Sequence, residues 1–365
     1  MLKVIALLQA AFTMFSFAPM AEAPASLQPQ SVTLAAVGDN LIHDVIYQQA
    51  YTSTGDYDFT PAYERVKNII TDADIAFINQ ETPLHPDRPP ANYPAFNTPV
   101  QMAGNLADLG FDIVNLSNNH MLDMGSEGLA KTIEQLSSTP GLLVTGAWPN
   151  VTEQNVIPII EKNGIKFAFL GFAEYTNMGR LPASVDMLCY TSERETVNRL
   201  VTLARAQADV VVVSVHWGNE NTTQPTSAQH EFAKALADMN VDVILGSHPH
   251  VLQPLERLKK ADGGEMLVYY SLGNFISAQL QPQNLIGGIA TITFTRTPGN
   301  SEILITDNDF IPLITHYGGG FRTLSLYPLA DYTEDLAAQH GIRTWRGHNF
   351  SLAYINEFLE KLTLK

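Results

Sequence analysis

A single cysteine, Cys189, stands in the whole 365-residue chain, which excludes an intramolecular disulfide framework and a cysteine-built zinc site. Basic residues are the next shortage: 21 Lys and Arg face 37 Asp and Glu, a net charge of −16. That balance argues against gripping a nucleic-acid backbone or an anionic membrane surface, because like charges repel. An anionic substrate would need local positive charge, which bound metal ions supply. No glycine-rich nucleotide loop is present, so ATP-driven polymerisation within this chain is not expected. Long apolar runs are missing except at the start, where Met1-Leu2-Lys3 precedes an apolar stretch over 4–18 and then Ala21-Glu22-Ala23-Pro24-Ala25. One positive charge, a short apolar region and small residues describe a secretory signal over 1–25, cleaved after Ala25. The chain is then expected to be exported to a periplasm, the exterior or the cell surface. An uncleaved anchor is the alternative, although the run is short for a span. No cysteine follows it to carry a lipid.

Hydrophobic residues make up 45% of the chain and charged ones 16%, the balance of a packed globular protein. Apolar, β-branched runs at 31–37, 75–78, 111–116, 165–172, 209–215 and 241–245 predict buried strands. Helical patterns lie between them, near 61–68, 194–208 and 227–239, and Leu129, Ile133 and Leu136 recur at helical spacing. Alternation of this kind predicts an α/β architecture. The last third changes character. Runs at 266–270, 286–294 and 303–311 follow one another with few helical signals, which predicts a second, more antiparallel sheet. A closing helix is expected over 353–364. The chain divides on this basis into a main domain over 31–325 and a C-terminal extension over 326–365.

Polar residues gather where the strands end. They are Asp39 with His43 nearby, Glu81 in Asn79-Gln80-Glu81, Asn118-Asn119-His120, His216 leading to Glu220, and His248-Pro249-His250. Strand carboxyl ends are where α/β folds place ligands. One such residue alone is ordinary, and a strand-end aspartate is as often a helix N-cap. Five in one chain are hard to assign to core packing, since ionisable groups are costly to bury unpaired. Carboxylate, amide oxygen and imidazole together are the ligand set of Mn, Fe or Zn centres open to substrate. Pro249 should stiffen its turn and steer His248 to extended backbone. The proline-rich loop over 83–99 lies beside this site, as a substrate-facing lid or as packed irregular structure. His85, His230, His316, His340 and His348 match no motif and are taken as surface or structural. Trp217 is expected to pack beside the site, and Cys189 to be a small side chain in a loop.

Asn118-Asn119-His120 with Asp123 and Gly125, His216-Trp217-Gly218, Gly246-Ser247-His248-Pro249-His250 and Tyr270-Ser271-Leu272-Gly273-Asn274-Phe275 resemble the CapA/PgsA family of poly-γ-glutamate capsule biosynthesis proteins. That family lies in the calcineurin-like metallophosphoesterase superfamily, and the resemblance covers about residues 34–276. It implies a four-layer fold, two facing mixed sheets flanked by helices, with two divalent ions (Mn, Fe or Zn) at the strand ends. Carried over residue by residue, Glu81 bridges both ions, Asn119, His216 and His248 complete one, and Asp39 and His250 the other. His120 faces substrate as general acid. His43, Asn118, Glu220 and Asn274 are further metal or pocket candidates. Two positions depart from the pattern: Leu41 stands where the superfamily has a histidine, which His43 could replace, and the bridging aspartate is here Glu81. The function implied is an exported, di-metal, hydrolase-like protein in the synthesis or handling of poly-γ-glutamate. A non-catalytic metal-containing subunit of a membrane-bound polymer synthase complex and a periplasmic phosphoesterase are the alternatives. An anionic polymer or a phosphoester is the expected partner, and nucleic acid is not.

Overall fold

A computed structural model of the chain describes residues 29–182, 187–299 and 302–364. The expected signal segment lies outside these residues. Strand β1 (Gln30–Asn40) is apolar on both faces, with Val32, Leu34, Ala35, Ala36 and Val37 fully buried. A strand of this kind belongs in the middle of a sheet. On one side it pairs in parallel with β2 (Ile75–Gln80), which continues to β3 (Ile113–Asn115) and β4 (Leu143–Thr145). A second sheet is built from β5 (Ile159–Lys162), β6 (Ile165–Ala173), β7 (Val210–His216) and β8 (Val243–Ser247).

The later strands do not form a sheet of their own, contrary to the expectation from their antiparallel pattern. They are divided between the two sheets already present. β9 (Leu252–Lys259) and β10 (Glu265–Leu272) make a hairpin, and β10 lies parallel to β8 in the second sheet. The short β11 (Asn274–Ile276) pairs with the end of β1. β12 (Ile286–Arg296) runs antiparallel to β1 from Gln30↔Arg296 to Val37↔Ile289, and β13 (Ile303–Gly318) and β14 (Thr323–Pro328) extend that sheet outward. The physical reason is β1: buried on both faces, it needs a hydrogen-bonded neighbour on each edge, and β12 supplies the second. Residue 325 falls inside β14.

The sheets pack face to face. Phe77 stacks on Phe169 at 6.3 Å, and Phe167 meets Phe294 edge-on at 5.1 Å. Along β7 the side chains alternate, as a pleated strand requires. Val210 and Val212 enter the core between the sheets, while Val211, Val213 and Val215 lie under helices on the outer face.

Of the first four helices, α1 (Asp44–Ala50) follows β1, and the predicted helix near 61–68 is split into α2 (Thr60–Tyr63), a 3-10 turn and α3 (Lys67–Thr71). α4 (Gln101–Asp108) buries Met102 and Leu106. α5 (Gly125–Ser137) buries Leu129, Ile133 and Leu136 against the first sheet's core. α6 (Arg194–Arg205) and α7 (Ser227–Asp238) cover the second sheet, α7 starting with a reciprocal Thr226–Gln229 capping box. The C-terminal segment adds α8 (Glu334–Gln339) and the expected closing helix, α9 (Leu352–Glu360), capped by Ser351 and anchored by buried Ile355. Among the described residues, no helix is long and apolar enough to cross a membrane.

Candidate metal centre

The carboxyl ends of β1, β2, β7 and β8 converge, and each delivers one or two polar side chains. Asp39 leaves β1 fully buried. Its Oδ1 accepts from Asn79 Nδ2 at 2.7 Å, and its Oδ2 accepts from the His248 backbone N–H at 3.2 Å and from His250 Nδ1 at 3.1 Å. Glu81, just past β2, is also fully buried, yet neither carboxylate oxygen accepts a hydrogen bond. The Nε2 atoms of His216 and His250 stand 3.6 Å and 3.8 Å from its Oε1. His216, the last residue of β7, has Ser247 Oγ at 2.9 Å from Nδ1 and Asn119 Oδ1 at 2.9 Å from Nε2.

His248 and His250 occupy the turn after β8. Both have positive φ, 94° and 57°. The expectation of extended backbone at His248 is therefore corrected. Pro249 does exclude the right-handed helical region, and the turn is met by the left-handed side of the map, which histidine tolerates better than most residues. The bond from the His248 N–H to Asp39 compensates that conformation. Tyr175 Oη lies 2.9 Å from His248 Nε2, and Nδ1 is buried without a partner. With Nε2–H donated to Tyr175, the Nδ1 lone pair is free, the form a metal ligand needs.

Burial dominates the electrostatics. It holds the Glu81 carboxyl well above the usual range, and the Asp39 charge adds to it. It keeps His216 well below the ordinary imidazole value and lowers His248 to about 3, in each case helped by a neighbouring imidazole. His250 is the exception. Burial works to lower it, but the Glu81 charge and the Asp39 hydrogen bond prevail and lift it to about 9.

Among the described residues, three groups of side chains have ligand atoms within 4.8 Å of one another: Glu81 with His216 and His248, Asp39 with Glu81 and His250, and Glu220 with His248 and His250. Glu81 is common to the first two groups. A buried carboxylate with no hydrogen bond, placed between imidazoles, fits a divalent cation, which would neutralise its charge.

Other candidates have different places. His120 is 5% exposed and has Asp123 Oδ2 at 2.7 Å from Nδ1; Asp123 also accepts from the Phe96 N–H at 2.9 Å. A Nδ1–H given to Asp123 leaves Nε2 to exchange a proton. Asn118 is a brace, donating to Gln80 O at 2.9 Å and accepting from the His120 N–H at 3.1 Å. Asn274 is buried, with Oδ1 3.0 Å from His250 Nδ1, so it orients that ring. His43 stands outside the three groups: its Nδ1 is 3.1 Å from Leu41 O and 3.3 Å from Ala278 N, and burial lowers it to about 4. The loop over 83–99 is packed irregular structure tied by Asn97, whose amide donates to the carbonyls of His85, Arg88 and Pro89. It also faces the site, since Phe96 meets the His120 ring edge-on at 4.8 Å. Trp217 stacks on Tyr270 and donates to its carbonyl, beside the centre. His316 and His340 pack together, partnered by Tyr332 and the Thr315 carbonyl.

Several residues at the site were not singled out from the sequence. Asn79 links Asp39 to Asn115, Ser247 sets the His216 ring, and Asn177 lies beside His120. Tyr175 follows β6 by two residues, so the same strand-end pattern could have found it. Asn177, in the loop beyond, carries no such signal.

A family profile described as "Bacterial capsule synthesis protein PGA_cap" matches residues 33–279. The PGA biosynthesis protein CapA of Bacillus subtilis is 29% identical over 224 residues, 60% of this chain and 57% of that protein. The capsule biosynthesis protein CapA of Bacillus anthracis is 33% identical over 176 residues, 47% of this chain and 41% of that one. A probable polyglutamine synthesis accessory protein of Mycobacterium tuberculosis is 24% identical over 205 residues, 51% of this chain and 52% of that protein. The chain thus spans about half the length of these curated relatives. Among solved structures, the calcineurin-like phosphoesterase YfkN from Bacillus subtilis superposes with a TM-score of 0.47 at 14% identity, over 90% of this chain and 100% of that one. A phosphatase from Mycoplasma pneumoniae gives 0.46 at 14% identity, over 79% and 95%. Superpositions of this quality leave the site to be judged on its own atoms.

Proposed function

The chain belongs to the PGA_cap family of bacterial capsule synthesis proteins, and from that premise we propose that it is an exported, di-metal, hydrolase-like protein. Its work is the synthesis or handling of poly-γ-glutamate or a similar anionic cell-surface polymer. The observation that carries this reading is Glu81: fully buried, free of hydrogen bonds, and shared by two groups of ligand-type side chains. Glu81, Asn119, His216 and His248 would hold one ion, and Glu81, Asp39 and His250 the other. Bound there, a pair of divalent ions supplies Lewis acidity and neutralises charge on a phosphoryl or carbonyl oxygen.

The chain's own residues do the rest. Ser247 and Asn274 orient the rings of His216 and His250, the second-shell support that ligating imidazoles need. Asp123 takes the Nδ1–H of His120, so that Nε2 can deliver a proton to a leaving oxygen. Phe96 covers the His120 ring and keeps water from that face. The net charge of −16 repels an anionic polymer from the rest of the surface, which concentrates binding where the cations sit. That a mycobacterial relative is named an accessory protein supports work beside a polymer synthase.

The test is metal content followed by turnover. Protein purified and supplied with Mn²⁺, Fe²⁺ or Zn²⁺ should retain about two ions per chain, a stoichiometry expected of a two-metal site, and lose them in His216→Ala or His248→Ala. Retention of no metal ends this reading. One observation favours a second reading, a metal-containing but non-catalytic subunit. Leu41 is 2% exposed where the superfamily pattern has a ligand, and His43 stands outside the three ligand-type groups. Bound metal with phosphoesters and γ-glutamyl peptides left intact would establish that reading. Hydrolysis of phosphoesters alone would point to a phosphoesterase unconnected with capsule.

A further inference from the structure

Glu220 has no role in the scheme above, and its placement gives it one. It follows β7 in a turn fixed on both sides. Before it, the Trp217 N–H donates to Ser247 O at 3.1 Å. Gly218, at φ 85°, donates to Glu174 Oε2 at 2.8 Å. After it, Asn221, at φ 61°, donates its N–H to Pro249 O at 2.8 Å and accepts from Asn284 Nδ2 at 2.8 Å. The turn that carries Glu220 is therefore tied, through Asn221, to the residue between the two histidines. Its carboxylate is exposed, takes no hydrogen bond or ion pair among the described residues, and has an oxygen within 4.8 Å of ligand atoms of both His248 and His250. It is close enough for its charge to be felt by Glu81 and His250.

We infer that Glu220 is the fourth protein ligand of the second metal position, which it would reach beside His250, the residue its group shares with the Asp39–Glu81–His250 group. This rests on the di-metal reading. The first position has Glu81, Asn119, His216 and His248, whereas the second has only Glu81, Asp39 and His250 without it. With Glu220 the second set becomes three carboxylates and one imidazole. Hard oxygen ligands of this kind suit Mn²⁺ better than the imidazole-rich first set does. The two positions therefore differ in preference, and the second is the Mn²⁺-selective one.

The experiment uses the full chain stripped with chelator and titrated with Mn²⁺ alone, with bound ions counted by elemental analysis and the pair detected by electron paramagnetic resonance. Wild type should bind two ions with a spin-coupled signal. Glu220→Ala and Glu220→Gln should keep one ion at unchanged affinity, weaken the second by about tenfold or more, as loss of metal-site support does, and show an isolated Mn²⁺ signal. The same variants titrated with Zn²⁺ should lose less. Because Glu220 is exposed, its variants should melt with wild type in chelator, which separates ligation from folding. A second Mn²⁺ bound within about twofold of wild type in both variants overturns the inference and leaves the di-metal reading standing. Wild type that binds no Mn²⁺ and no Zn²⁺ overturns both.

Discussion

Glu81→Gln should raise the melting temperature of the metal-free protein and lower that of the metal-loaded protein. In the stripped chain the carboxylate is fully buried and takes no hydrogen bond, and a polar group buried in this way costs about 1–3 kcal/mol, more when it is charged. Glutamine has nearly the same shape and no charge to bury. Unfolding entropy of about 2.1 cal/mol/K per residue over 365 residues is about 0.77 kcal/mol/K. Relief of 1–3 kcal/mol therefore corresponds to a rise of about 1–4 °C. With ions at about 100 times Kd, each site adds about 2.7 kcal/mol to wild type, so two sites add about 7 °C that the variant forfeits. The order of the two curves should invert. The pH dependence supplies an independent check. Glu81 is raised in the folded state, so the native chain holds more protons than the unfolded one above pH 4.5, and stripped wild type loses stability as pH rises through that window. The variant lacks that contribution. Differential scanning in chelator and in excess Mn²⁺, at pH 5 and pH 7, reads all of this. If the variant melts below wild type in chelator as well, Glu81 is a structural acceptor and the argument from its unpaired oxygens is wrong.

His120→Gln and Asp123→Asn should each lower turnover by about 10²–10⁴-fold, the usual worth of a positioned acid, with metal content unchanged; loss of metal in either variant would make His120 a ligand instead. Gly246→Ala drives a Cβ into the Tyr270 carbonyl on the neighbouring strand, so β8 and β10 must part. A loss of about 3 kcal/mol or more is expected, and a urea midpoint equal to wild type would contradict it. His316 and His340 are held by burial at about 4. Unfolded, they protonate near 6.5 while the folded chain keeps them neutral, so stability should fall as pH drops from about 6.5 to 4. That slope should shrink in His340→Gln, and an unchanged slope would show that neither group is responsible.

The sequence made the polar strand ends legible because one physical rule governs them all: an apolar run cannot end in ionisable groups inside a core without a reason. Asp39, Glu81, Asn119, His216, His248 and His250 do meet. What the pattern could not convey was partnership. The runs at 266–270 and 286–294 looked alike as strands, yet one joined β8 and the other β1, and only the two-sided burial of β1 distinguishes them. Pro249 gave a stiff turn but the wrong sign of φ at His248, because the local rule forbids one region without choosing among the rest. His43 was near in sequence, but its Nδ1 is engaged by Leu41 and Ala278 and it stands outside the ligand-type groups. Asn177 and Ser247 act through hydrogen bonds to residues far along the chain, which leave no periodic trace.

The bonds from Asp39 reach His248 and His250 across 209 and 211 residues, and β1 finds its antiparallel neighbour only at residues 289–296. Contacts this distant in sequence form late and slowly. In a chain still being made, Asp39 is in place 209 residues before His248 arrives. The centre therefore closes as one of the last events of folding. Ligand type and geometry bias a site among divalent ions, and supply also helps decide which ion is taken. It follows that the surroundings in which the chain finishes folding, rather than those in which its synthesis begins, set which ions the site is offered.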